Sequence, residues 1–336
     1  MPGGHQDVER TTPWERDTII NVWSTTKTMA ALSMLTLVGR GEVDVDAPVA
    51  TYWPEFKAGG KENVLVRHIM SHTAGLSGWQ EPMKPEDLYD WDLTCSRLAA
   101  QEPWWEPGTA SGYHAISQGY LEGEVVRRVT GQTIGTFFAQ EIAGPLGADF
   151  HIGTGPEHDA RVAKVIPPPP LVPEGVDIDM TSVAMRTLTN PPLDAAQSWT
   201  VPWRRAEIPA AGGHGNARSV ALVQSILACG GESNGVRLFS EETADLVFRE
   251  QCNGIDLVLG VQLSHGIGYG LPGEMLPLPN PRTCFWGGWG GSLIIVDLDA
   301  RMTVSFVMNR MGEGTVGDER GLAILQAAYA GLAEAG

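Results

Sequence analysis

The feature that most constrains the fold is a change of hydrophobic period along the chain. From Ser24 the apolar residues Met29, Leu32, Leu35 and Val38 recur at helical spacing until Gly39 and Gly41 end the run, and a short β-branched stretch, Thr18 to Trp23, precedes them. Helical patterns return between Leu65 and Leu76 and from Gly119 to Thr130, the latter closed by Gly131. Prolines at 167–170 and at 191, 192, 202 and 209 mark loops. Gly212 to Gly215 reads as a turn that opens a helix from Ala217 to Ala228. The period then switches to two: Ser292 to Val296 and Met302 to Met308 are β-rich, joined by residues 297–301 as a hairpin, before a last helix from Glu319 to Ala333. This order predicts an α+β fold in which an antiparallel sheet, built from both chain ends and flanked by helices, carries an inserted helical lobe. The expected division is a sheet lobe from residues 1–58 and 208–336, a mainly helical lobe from 59–207, and a site between them.

Composition removes several classes of function. The 336 residues carry 40 acidic and 23 basic side chains, a formal charge of -17, and no basic run. Nucleic acid and anionic membranes are therefore poor partners, and the acidity reads as a solvated surface. Cys95, Cys229, Cys252 and Cys284 lie far apart without a C-x-x-C pair, and no histidine stands at metal-ligand spacing. They read as reduced thiols of a cytoplasmic protein that needs neither metal nor cofactor. No apolar run is long enough to span a bilayer, and no leader pattern opens the chain.

A serine hydroxyl is a weak nucleophile at neutral pH and needs a proton acceptor within reach. Ser24 and Lys27 satisfy this by spacing, because positions i and i+3 share a helix face. A serine at the first turn sits at the positive end of the helix dipole, and burial of Lys27 would favour its neutral, basic form. The bland alternative is an N-cap serine followed by an exposed lysine.

The context favours chemistry. Ser24-Thr25-Thr26-Lys27 opens an apolar helix that runs into Gly41-Glu42-Val43-Asp44-Val45-Asp46-Ala47-Pro48-Val49, and here the chain resembles the serine β-lactamase and penicillin-binding-protein superfamily. The branch it is most similar to is that of the class C β-lactamase-like esterases called family VIII carboxylesterases. Residues 66–76, with Ser71-His72-Thr73-Ala74-Gly75-Leu76, look like the family's helix-to-loop segment, a structural match. Residues 106–115 resemble the element that carries the family's tyrosine. The resemblance makes Tyr113 the second proton carrier, with a pKa lowered by the neighbouring ammonium. Ala115 departs from the lactamase pattern, which has an asparagine there.

Trp286-Gly287-Gly288-Trp289-Gly290-Gly291-Ser292 looks like the family's K-T-G strand in its esterase form. Glycines suit a strand edge against which a substrate must lie. The implied oxyanion hole pairs the amides of Ser24 and Trp289, with Trp286, Gly287 and Gly288 binding substrate. A second register, with Trp289-Gly290-Gly291 and the amide of Ser292, stays open. Trp286 in place of the lysine removes the cation that would hold a lactam carboxylate. Gly231-Glu232-Ser233-Asn234-Gly235 fits the G-x-S-x-G pattern, but it follows a helix instead of a strand and reads as a surface loop, with His214 and His265 as polar loop residues.

The resemblance thus implies a β-lactamase/penicillin-binding-protein fold and a serine carboxylesterase acting on small, short-chain esters through an acyl-enzyme on Ser24. A β-lactamase, a D-amino-acid peptidase, an acyltransferase, or a binding or sensor protein of the same fold are the alternatives. The family usually places two strands before its serine, so an incomplete sheet edge and self-association into a homo-oligomer are further expectations.

Overall fold

The computed structural model describes residues 3–168, 179–274, 276–315 and 317–335; Pro169 and Pro170 lie outside them. Helix α1 (Lys27–Gly39) is buried on every side from Lys27 to Leu37, as an all-round apolar sequence requires. The first turn differs from expectation. Trp23–Thr26 is a 3₁₀ turn and the α-helix begins only at Lys27, yet the three-residue step still brings Ser24 and Lys27 to one face. Helices α2 (Val66–Met70), α3 (Trp91–Ala100) and α4 (Ser117–Thr130) follow, and α4 packs along α1. Gly131 takes the left-handed conformation at φ 72° to close α4.

Strand β1 (Ile20–Asn21), directly before the nucleophile turn, pairs antiparallel with β2 (His214–Gly215). Asn216 caps the next helix, α5 (Ala217–Ala228), and its side chain accepts the Ser219 N–H at 3.0 Å. Strands β3 (Glu232–Ser233) and β4 (Val236–Arg237) form a small hairpin. Its turn residues, Asn234 and Gly235, have φ of 51° and 77°, the two left-handed residues of an Asn-Gly hairpin turn. The Gly231 to Gly235 motif is therefore hairpin chemistry.

The remaining strands are β5 (Cys252–Ile255), β6 (Gln262–His265), β7 (Gly270–Leu271), β8 (Thr283–Gly287), β9 (Leu293–Asp297) and β10 (Met302–Phe306). They form one antiparallel sheet in the order β10-β9-β8-β7-β6-β5. The expected hairpin is present with its ends moved by a residue or two, Met302 facing Asp297. All of β9 is buried, with α5 against β9 and β10 and the last helix, α6 (Glu319–Ala335), against β10. Among the described strands, β10 has no partner on its outer side. One apolar cluster runs from Ile294 and Val296 of the sheet through α1 to Leu121 and Val125 of α4, so helices and sheet share a core.

Candidate active site

Ser24 sits on a strained turn pinned by the last strands of the chain. Trp23 has φ 50°, a left-handed conformation that costs a bulky residue on the order of 1–3 kcal/mol. Packing holds it there: its indole meets Trp203 at 5.6 Å and Trp289 at 5.0 Å between ring centroids. Ser292 Oγ donates to the Val22 carbonyl at 2.7 Å and lies 2.9 Å from Thr25 Oγ1. Thr26 Oγ1 donates to the Trp23 carbonyl at 2.6 Å and accepts the Gly213 N–H at 3.0 Å. The turn is thus fixed from both flanks.

Lys27 is buried and its Nζ has three neighbours: Ser24 Oγ at 3.2 Å, the Ala115 carbonyl at 2.7 Å and the Ala210 carbonyl at 2.9 Å. A neutral amine has two N–H groups and one lone pair. The two carbonyls take the N–H groups, which turns the lone pair toward Ser24 Oγ. Burial pushes the Lys27 ammonium well below the usual lysine range, opposed in part by the Glu122 carboxyl. Gly119 of α4 makes the Ala210 contact possible, since a Cβ there would stand 2.4 Å from Ala210 N.

The Tyr113 hydroxyl donates to Ser24 Oγ, and Lys27 Nζ lies 4.7 Å from the ring centroid. The lowered pKa expected for this phenol is overturned. Burial pushes it well above the ordinary tyrosine range; the hydrogen bond with Ser24 and the adjacent Trp286 indole only partly counter this, and the Asp256 charge adds to it. Tyr113 therefore stays a protonated phenol, a donor and not a base.

Its backbone is fixed from the sheet. Asp256 Oδ1 accepts the N–H groups of Tyr113, Val258 and Leu259 at 3.0, 2.9 and 2.9 Å. Asp256 Oδ2 faces His265 Nε2 at 3.6 Å. Burial raises the Asp256 pKa, but the facing His265 ring and the bonds from the amides outweigh it and hold it down at about 2. His214 and His265 are not loop residues: both are buried and lie on β2 and β6, so the polar-loop reading is corrected. His72, at φ 62°, stacks on Trp286 at 5.1 Å and meets the edges of Tyr113 and His265. His72 Nδ1 accepts the His114 N–H at 3.1 Å, and burial keeps both rings neutral, His114 with a pKa of about 4.

Trp286 is 2% exposed and packs on Tyr113 and His72, so its indole backs the phenol. Gly287 ends β8, opposite Leu293. A Cβ at Gly288 would lie 2.6 Å from the Val22 carbonyl and 3.0 Å from Ser24 N. This close approach brings the glycine-rich turn against the nucleophile backbone. Among the described residues, neither Ser24 N nor Trp289 N donates to a protein acceptor. Ser233 stands apart: its Oγ accepts from Ser225 Oγ at 2.9 Å and from Asn234 Nδ2 at 3.0 Å. Sequence reasoning missed Asp256, the site roles of His72 and His265, and the two carbonyls on Lys27. Only His72, inside a quoted motif, carried any signal.

Residues 2–329 match the Beta-lactamase family. The chain belongs to that family. The β-lactamase/penicillin-binding-protein fold implied by the motifs is what the solved structures share. The chain is 42% identical to a crystal structure of a family VIII carboxylesterase, with a TM-score of 0.91 over 97% of this chain and 87% of that one. A penicillin-binding-protein homologue from Caulobacter crescentus is 36% identical with a TM-score of 0.88, over 98% and 87% of the two chains. Among curated relatives, Esterase/beta-lactamase LipL of Mycobacterium tuberculosis is 35% identical, over 89% of this chain and 71% of its own length.

Proposed function

We propose that this chain is a serine carboxylesterase that hydrolyses small, short-chain esters through an acyl-enzyme on Ser24. The observation that carries this is the meeting at Ser24 Oγ of Lys27 Nζ, at 3.2 Å, and the Tyr113 hydroxyl. Ser24 Oγ attacks the ester carbonyl and its proton passes to Lys27. The amides of Ser24 and Trp289 take the oxyanion. As the intermediate collapses and the carbon–alkoxide bond breaks, Tyr113 gives its proton to the leaving oxygen and is refilled from Lys27. Water then attacks the acyl carbon by the same proton route, releasing the acid and freeing Ser24. The raised pKa of Tyr113 supports this order, since the phenol holds a proton to give.

Substrate choice follows from two departures from the lactamase pattern. Ala115 has no amide to meet a lactam side chain, and Trp286 offers no cation to its carboxylate. Loss of the ionic partner forfeits about 1.5–3 kcal/mol. The two lobes of the expected division, 59–207 against 1–58 with 208–336, would supply Tyr113 from one side and Ser24, Lys27 and Trp286 to Trp289 from the other. The free thiols support a reducing compartment such as the cytoplasm. Labelling with a fluorophosphonate probe and peptide mapping should place the adduct on Ser24. On the same preparation kcat/KM for p-nitrophenyl butyrate should far exceed that for nitrocefin; comparable values, or a lactam preference, would replace the esterase reading with a β-lactamase.

A further inference from the structure

Glu122 is a carboxyl for which the reaction above has no role. It lies on α4 without exposed surface, and among the described residues neither carboxyl oxygen has a hydrogen-bond partner. An isolated buried carboxylate is costly, so such a group is either neutral or balanced by a nearby cation. Both options are present. Gln118, one turn earlier on α4, donates from Nε2 to the Met70 carbonyl at 3.2 Å and leaves its buried Oε1 unpartnered. A protonated Glu122 carries the O–H that this oxygen lacks. The cation is Lys27: Glu122 stands one turn beyond Gly119 on α4, the glycine that packs on Ala210, and the Ala210 carbonyl accepts from Lys27 Nζ at 2.9 Å.

We propose that Glu122 and Lys27 hold one proton between them as a coupled pair, and that Glu122 is a positioning residue that sets the pH below which Lys27 ceases to be a base. The inference rests on the reading of Lys27 as the base. With one proton the pair is neutral in two ways, as acid and amine or as carboxylate and ammonium, and only the first leaves a lone pair for Ser24. Burial drives the two groups toward each other: Glu122 is pushed well above the carboxylate range and Lys27 well below the ammonium range.

The surrounding groups do not take over this titration. His68 on α2 and His72 and His114 beyond it are held low by burial, the first and last at about 4, and stay neutral. Tyr269, whose hydroxyl donates to Gln224 Oε1 at 2.8 Å, and Cys95 on α3 are pushed up by burial and also stay neutral. Asp256 stays ionised, with its pKa at about 2. Glu124 is occupied by Arg127 and Arg128, each at 2.7 Å.

The test is the pH profile of kcat/KM for p-nitrophenyl butyrate with Glu122→Gln and Glu122→Met. Gln keeps the shape and a donor for Gln118, while Met replaces a buried charge by an apolar side chain of similar volume, a change that proteins often tolerate. Removing the carboxyl removes what holds the Lys27 pKa up, so in both variants the acid limb should move at least about half a pH unit toward lower pH. The pH dependence of fluorophosphonate labelling of Ser24 should move with it. Acid limbs that superimpose on the parent's, or move upward, would overturn the pair. Lys27→Ala separates the two failures: if that variant keeps its activity the base reading falls, whereas a dead Lys27→Ala with unmoved Glu122 limbs removes only the pair.

Discussion

Asp256 accepts the backbone N–H of Tyr113 at 3.0 Å across 143 residues of sequence, so a carboxylate on the sheet side fixes the position of a phenol carried by the helical segment. The bond has an acid signature. The Asp256 pKa is about 2 in the fold against 3.8 for a free aspartate, so its contribution is fully present above 3.8 and is lost as pH falls through 2. The difference corresponds to about 2 kcal/mol. Asp256→Asn should lower the thermal midpoint at pH 7 and narrow the gap between midpoints at pH 7 and pH 3. An unchanged midpoint at pH 7 would show that the carboxylate does not hold the loop.

The nucleophile is open to a paired test. Ser24→Ala should abolish hydrolysis of a short p-nitrophenyl ester, while Ser233→Ala, in its Asn-Gly hairpin, should leave the rate nearly unchanged. A dead Ser233→Ala beside an active Ser24→Ala would end the mechanism proposed above.

Lys27→Ala and Tyr113→Phe should each cost at least about a hundredfold in kcat, the scale of a positioned acid or base. Their pH dependences differ in sign. Lys27 loses its base function as pH falls through its depressed pKa, which produces an acid limb. Tyr113, pushed up by burial, keeps its proton past the ordinary tyrosine range. No loss of activity with a midpoint near or below 10 should therefore trace to this phenol; an alkaline limb there that disappears in Tyr113→Phe would contradict its role as donor.

Gly119 links helix packing to the base. A Cβ at this position would stand 2.4 Å from Ala210 N, and the Ala210 carbonyl is one of the two acceptors that orient Lys27. Gly119→Ala should reduce kcat by tenfold or more with a smaller change in KM, because a displacement of about 1 Å at a positioned group is costly. Parent-like kcat in a folded Gly119→Ala protein would show that the Ala210 contact is dispensable.

The fold was legible where period and punctuation agree. Helix α5 lies at Ala217–Ala228 as read, since Asn216 caps it and Gly215 precedes it. The terminal hairpin was legible from two β-rich runs with polar residues between them. Ser24, Lys27 and Tyr113 were visible because their side chains belong to motifs. Their partners were not, since Ala115 and Ala210 act through carbonyls that any residue carries, and Asp256 sits in a stretch with no motif. The direction of the Tyr113 shift was misjudged because the resemblance implies the neighbouring cation, whereas the burial that outweighs it is a property of the packed chain. His265 was misread for the same reason, as its strand is too short to announce itself between glycines.

The contacts of Ser292 with Val22 and Thr25 have a consequence for synthesis of the chain. The turn that presents Ser24 is held in its left-handed kink by groups made roughly 270 residues later. Chains emerge N-terminus first at about 5–20 residues per second. The serine, lysine and tyrosine all leave the ribosome well before β9 does; Trp203 and Gly213 can brace one flank of the turn, but the other flank waits for Gly288 and Ser292. A nascent chain therefore carries its nucleophile turn held on one flank only until the segment with Gly288 and Ser292 has been made and has folded back onto Val22 and Thr25.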